Sequence, residues 1–229
     1  MKNILIIIKK QCKDTLKNKT VLIQFLLFPL MTLVMENAIS LSNMPELFFT
    51  KLFSIMYIGM APLTAMAAII SEEKEKNTLR VLMMANVRSW QYLTGVGLYV
   101  WVICMAGARI MSTNMPANDV PFYLLIMGIG FIISIAAGAC VGIYAKNQMI
   151  ATSVVMPVML VLSFAPMLAM FNEKIERVAA FFYTQQLKCT LDHMAFDALS
   201  TAGVWTVLIN AVLIFAAFFI LFHAKGLES

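Results

Sequence analysis

Charge is what this 229-residue sequence has least of. Asp, Glu, Lys and Arg make up 13% of it, against 61% hydrophobic residues. A soluble domain carries about a quarter charged residues, so a water-facing surface is excluded for most of the chain and the composition is that of an integral membrane protein. Cysteine is sparse: Cys12, Cys104, Cys140 and Cys189 form no C-x-x-C pair, which argues against a disulfide framework or a zinc site. No Gly-Lys dipeptide occurs, so the Gly-rich loop that cradles nucleotide phosphates is missing and the chain has no means of its own to use ATP. Ionisable residues are also nearly missing from the middles of the apolar runs, where an ion- or proton-coupled carrier places them. Glu36, Lys51 and Arg109 all fall near run ends, where Glu36 and Lys51 either pair across a short loop or reach separately for water.

What is there is a series of six apolar runs, at about 20–39, 50–71, 91–111, 121–145, 148–171 and 202–223. Each has the ~20 residues that cross a ~30 Å hydrocarbon layer as a helix. Helices are required because lipid offers no partner to a free backbone group, and nothing here alternates as a barrel strand does. With a cytoplasmic N-terminus, twelve of the seventeen Lys and Arg fall on inner segments and five on outer ones. That bias puts both termini in the cytoplasm. The opening segment is not a cleavable signal peptide, since its apolar run stops at Ile8 and no small-residue cleavage site follows. Residues 1–19 place Ile4, Leu5, Ile7, Ile8, Cys12 and Leu16 on one helical side and Lys9, Lys10, Lys13 and Lys17 on the other, with Ile6 the one misfit. This two-sided pattern predicts an amphipathic helix lying along the anionic inner leaflet, while the charge alone would also serve as a topology signal.

Between the second and third runs stands the one long polar stretch of the first half, "SEEKEKNTLRVLMMANVRS", residues 71–89. Asn77 or Thr78 can cap a short helix on which Leu79, Leu82 and Met83 form an apolar stripe, with Glu72, Glu73 and Glu75 at its positive end. The pattern Glu73-x-Glu75-x-x-Thr78-Leu79-x-x-Leu82-Met83 resembles the E-x-E-x-G-T-L-E-x-L-L signature of type 2 ABC exporter permeases, the family of bacterial drug, peptide and polysaccharide exporters. The chain departs from it where Asn77 replaces Gly, Arg80 stands at a commonly acidic position, Asn86-Val87 replaces a small residue and Pro, and Val96 follows Gly95 in place of Lys. Asn tolerates the left-handed backbone nearly as Gly does, so the turn is expected to survive.

The resemblance implies an all-α integral membrane protein of the bacterial cytoplasmic membrane. Residues 1–229 would be one exporter transmembrane domain with six spans, an in-plane helix at 1–19, a cytoplasmic coupling segment at 72–89, and short outer helices at 172–201. In those outer helices Ile175, Val178, Ala179 and Phe182 share one face, and Leu187, Leu191, Met194, Ala195 and Ala198 another. It further implies a coupling site at Glu73, Glu75, Thr78, Leu79, Leu82 and Met83, docking on a separate ATPase present in two copies. ATP and Mg would belong to that partner, with no cofactor or metal in this chain. A second permease, identical or homologous, would complete the unit, embedded in membrane lipid and with no nucleic acid involved.

Within the spans, Gly130, Ser134, Gly138 and Gly142 recur every four residues, a smooth ridge for close helix packing within the subunit or at a dimer seam. Pro29, Pro62, Pro157 and Pro166 interrupt the first, second and fifth spans, which in the family line the route between subunits. Pro29, Met56, Met60, Ser153, Met156 and Ser163 are therefore candidates for the pathway. Flexible Met-rich walls suit a hydrophobic or amphipathic cargo, such as a membrane-active peptide or a lipophilic drug, better than a glycan. A same-fold immunity or sensor subunit is the second reading. A membrane protease is a distant third: Glu72-Glu73, His193-x-x-x-Asp197 and Phe219-x-x-x-His223 echo parts of the CAAX-type motifs, but Asn77 stands where Arg is required, and the predicted topology puts His193 across the membrane from Glu72. In intact cells, a membrane-impermeant thiol reagent is expected to reach Cys189 and not Cys12. Labelling of Cys12 from outside would reverse the orientation.

Overall fold

The chain's computed structural model describes residues 2–17, 19–38, 45–194 and 200–225, and no strand occurs among them. The helices are α1 Lys2–Lys17, α2 Lys19–Ala38, α3 Phe48–Glu75, α4 Thr78–Met84, α5 Ser89–Met111, α6 Val120–Tyr144, α7 Gln148–Leu168, α8 Glu173–Ala179, α9 Tyr183–His193 and α10 Thr201–Lys225. Five of them (α3, α5, α6, α7 and α10) are long and apolar enough to cross a membrane. The apolar stretch of α2, Leu22–Ala38, is shorter. An all-helical, multi-pass membrane protein is the architecture this set describes.

α3 is the axis of the bundle, packed against α6 and α7 most extensively and touched also by α2, α5 and α9. Small residues make that possible. The α6 ridge lies flat on α3: a Cβ at Gly130 would meet Ile58 Cγ2 at 2.8 Å, one at Gly142 would meet Ile70 Cβ at 2.8 Å, and one at Gly138 would strike the Leu63 carbonyl oxygen. On the other side, a Cβ at Gly59 of α3 would meet the α7 backbone at Leu162 and Ser163, 2.9 Å away. Dispersion and close backbone approach replace the hydrophobic effect as the source of packing in lipid.

Prolines inside α2 and α3 each remove an N–H and leave a carbonyl four residues earlier without its helical donor. Both carbonyls are answered from another helix. For Pro29 the free carbonyl is that of Phe25, and the Tyr57 hydroxyl of α3 donates to it at 3.1 Å. For Pro62 it is that of Ile58, and Ser134 Oγ of α6 donates to it at 2.6 Å. Ser134 Oγ also pairs with the Tyr183 hydroxyl at 2.7 Å, which ties the start of α9 into the same seam. Tyr57, Ser134 and Tyr183 are all fully buried.

The start of α3 is held by bonds from charged side chains. Glu36 of α2 accepts from the Thr50 backbone N–H (2.8 Å) and hydroxyl (3.0 Å) in the first turn of α3, a stabilising place for a carboxylate. Lys51 Nζ donates to the carbonyl of Asp192 in α9 at 2.9 Å, so Glu36 and Lys51 each find a partner other than the other. Of the two faces expected in the outer segment, Ala179, Leu187 and Leu191 are buried and Val178 is exposed, while Ala195 and Ala198 lie outside the described residues. Burial raises the Cys189 thiol above its ordinary pKa, with Lys188 opposing and Asp192 and Glu176 adding to the shift.

Ser134→Ala should cost about 1–2 kcal/mol of stability, because it strips the Ile58 carbonyl and the Tyr183 hydroxyl of a buried partner at once. Adding Tyr183→Phe should recover part of that loss in thermal unfolding of the purified protein. Full additivity of the two would show that the hydroxyls act independently.

Candidate functional site

The end of α3 that carries the signature is where the chain spends its few charges. Glu73 is 7% exposed, on the α3 face turned toward α1. Lys10 Nζ of α1 lies 2.6 Å from Glu73 Oε1, and Gln11 Nε2 donates to the same oxygen. Oε2 and the Tyr92 hydroxyl of α5 are buried with no other hydrogen-bond partner among the described residues, and each lies within electrostatic reach of the other. A buried carboxylate is tolerated only when paired and hydrogen-bonded, and this one draws on two elements besides its own.

The pairing explains how α1 sits. Ile7, Gln11 and Thr15, at i, i+4 and i+8, are buried against the bundle, and Gly95 of α5 leaves room for Ile7, whose Cγ2 a Cβ there would meet at 2.9 Å. Leu5, Ile6, Lys9, Cys12 and Lys13 are exposed. The single apolar side expected from the sequence is therefore divided, with Ile7 turned inward beside two polar residues and Leu5 and Cys12 turned outward.

The residues after Glu73 are tied down in turn. Lys74 Nζ donates to the Ile143 carbonyl at the end of α6 (2.8 Å), where a cation meets the negative end of the helix. Glu75 Oε2 accepts from the Gln148 backbone N–H (2.9 Å) at the start of α7, the complementary pairing. Lys76 and Glu72 form an exposed pair at 2.5 Å, and that bond holds the Lys76 ammonium above its ordinary pKa. Thr78 Oγ1 donates back to the Glu73 carbonyl at 3.1 Å. Asn77 adopts φ 55°, the left-handed backbone expected of it, and Asn86 beyond α4 adopts φ 63°.

On α4 the exposed side is not the expected one. Leu79 is 2% exposed and buried against the core, and Leu82 and Met83 are half-buried on the same side. Arg80 faces outward with Val81 (59% exposed) and Met84 (75%). Of the six residues expected to meet a partner, Glu75 alone is exposed, Thr78, Leu82 and Met83 are half-buried, and Glu73 and Leu79 are withdrawn into the chain's own packing. The surface available on α4 is Arg80, Val81 and Met84. In the sequence it is marked by a second apolar pair at i and i+3, Val81 and Met84, opposite the Leu79, Leu82 and Met83 stripe.

The pathway candidates do not gather around one opening. Pro29 is buried against Gly107 and Tyr57, and Met56 and Ser163 lie in the α3–α7 seam, where Ser163 Oγ donates to the Met56 carbonyl at 3.3 Å. These three serve internal packing in this conformation because each answers a neighbouring helix. Met60 lines a hollow of about 280 Å3 with Gln24 and Phe28 of α2, and Ser153 and Met156 are exposed along α7. Of the protease-like residues, Glu72 and Glu73 are engaged as described. The Nδ1 atoms of His193 and His223 are spent on carbonyls of their own helices, and Asp197 lies outside the described residues. Among the described residues no three His, Cys, Asp or Glu side chains form a group able to hold a metal. No protein-family model matches the chain, and no curated protein matches its sequence.

A double-mutant cycle on Lys10→Met and Glu73→Gln should show a coupling of about 1–3 kcal/mol in unfolding of the full chain. Lys10→Met alone should be worse than the double variant, because it leaves Glu73 buried without its countercharge. Additive losses would mean that α1 is held by apolar contact alone.

Proposed function

We propose that this chain is the transmembrane permease subunit of an ATP-driven exporter of the type 2 ABC class, working in a bacterial cytoplasmic membrane. In this reading α2 is the sixth span, both termini are cytoplasmic, and α1 lies in the plane of the inner leaflet. Leu5 and Cys12 then meet lipid, Lys9 and Lys13 meet headgroups and water, and Ile7, Gln11 and Thr15 grip the bundle. A separate ATPase, two copies per complex, supplies ATP and Mg chemistry, and a second permease, identical or homologous, completes the pathway. The cargo is hydrophobic or amphipathic, such as a membrane-active peptide or a lipophilic drug.

The observation that carries the reading is α4 itself. A seven-residue helix hangs on the end of the central helix, fastened inward through Leu79 and Thr78 and presenting Arg80, Val81 and Met84 outward. A push on that outer face passes through the Thr78–Glu73 bond and the Asn77 turn directly into α3. Through Lys74 and Glu75 it also reaches the ends of α6 and α7. A soluble motor docked at this point would move three membrane helices at once.

Co-expression with the ABC ATPase encoded nearest to this chain, followed by affinity purification, tests the reading. Val81→Asp with Met84→Asp should leave the permease folded in the membrane and reduce the bound ATPase more than about tenfold, as loss of interface anchors does. Leu79→Asp should instead lower the yield of folded permease, since it buries an unpaired charge. Wild-type retention of the ATPase by the Val81/Met84 variant, or no ATPase with the unaltered chain, would overturn the reading.

A further inference from the structure

α10 packs chiefly on α6 and α9, and α5 packs on a neighbouring strip of α6. Between α5 and α10 a cleft of about 510 Å3 remains open along the flank of the bundle. Its floor is the small-residue strip Ala136 and Ala139 of α6, and its walls are Gly97 and Trp101 of α5 and Phe215 and Phe218 of α10. The lining is almost entirely carbon, and the Trp101 indole N–H is already given to the Gly128 carbonyl at 3.2 Å. The volume is that of a ligand site, ~300–1,000 Å3.

We propose that this cleft is a binding site for one acyl chain of an anionic phospholipid, in the leaflet on the α4 side. Water does not suit it, because a buried water needs two or more polar partners and the cleft offers almost none. An empty cleft would forfeit the dispersion contacts of its walls. A chain drawn from the surrounding bilayer fills it with no polar group to desolvate. The headgroup end is marked as well. Trp90, Thr94, Gly97 and Trp101 recur at helical spacing down one side of α5, so the strip runs from the cleft to Trp90, half exposed at the start of the helix, and to exposed Arg88 just before it. The indole marks the depth of the interface, where Phe can also stand, and the exposed Arg88 guanidinium is the group that seats a phosphodiester. The site rests on the membrane reading alone and needs no ATPase, so its failure would leave the exporter reading standing.

Gly97 makes the test clean. A Cβ there meets Ile135 Cγ2 at 3.5 Å, an ordinary contact, so Gly97→Leu fills the cleft without striking backbone. The full chain, with Trp90 and Trp205 changed to Phe so that Trp101 alone reports, is reconstituted in phosphatidylcholine vesicles. These contain a small fraction of lipid brominated at mid-chain, as either phosphatidylglycerol or phosphatidylcholine. Brominated phosphatidylglycerol should quench Trp101 about fivefold more effectively, the preference that one cation at the leaflet surface confers. Gly97→Leu should remove that excess quenching, and Arg88→Gln, which alters only an exposed side chain, should equalise the two lipids. Equal quenching by both lipids in the unaltered cleft overturns the proposal. So does an excess that survives Gly97→Leu or Arg88→Gln, which would indicate bulk contact or a site elsewhere.

Discussion

A hydroxyl from Ser134 reaches across to the Ile58 carbonyl that Pro62 leaves free, and the arrangement of the bundle follows from the need it meets. In lipid an unanswered backbone group costs several kcal/mol, so a donor brought by a neighbouring helix is one way to make a proline inside a span tolerable. To bring Ser134 that close, α6 must carry glycine above and below it, and Gly130, Gly138 and Gly142 do so. The same hydroxyl then fixes Tyr183 and with it α9. Tyr57 repeats the solution for Pro29, locking α2 to α3. Pro29 and Pro62 thereby act as fixed joints between helices, each closed by a hydroxyl from the helix it packs against.

Charge obeys the same rule at the α4 end of α3. Glu73, Lys74 and Glu75 are consecutive, and each is directed at a different element: α1, the end of α6 and the start of α7. With Thr78 bonded back to Glu73, the turn into α4 is fastened on every side except its outer face. Consecutive anchors thus couple the turn to three other elements at once. That is the property the proposed exporter needs at the point where a soluble motor would press.

Much of this was legible in the sequence. Apolar run length marked five helices long enough to span, where six had been expected, the four-residue recurrence marked the α6 ridge, and Asn77 was expected to take the left-handed turn it does take. What escaped was the sense of facing. In a soluble helix apolarity separates inside from outside, but a helix at a membrane surface has two apolar surroundings. On α4 both Leu79/Leu82/Met83 and Val81/Met84 qualify, and the choice between them depends on how α4 packs against the helices of its own bundle. Lys10 and Glu73 stand 63 positions apart, and Ser134 and Ile58 stand 76 apart, so no local pattern could couple them. The hydroxyls that answer Pro29 and Pro62 likewise lie on other helices, beyond the reach of a local pattern.

If α4 is the place where force enters, its outer face must be covered in the working complex. Single-particle imaging of the complex, purified through this chain from its native membrane and held in a lipid disc, addresses that most directly. The expected result is two copies of a nucleotide-binding subunit beneath two permeases, with Arg80, Val81 and Met84 of α4 in the contact. A chain found with α4 bare, or with its soluble partner seated on any other surface, would contradict the proposal.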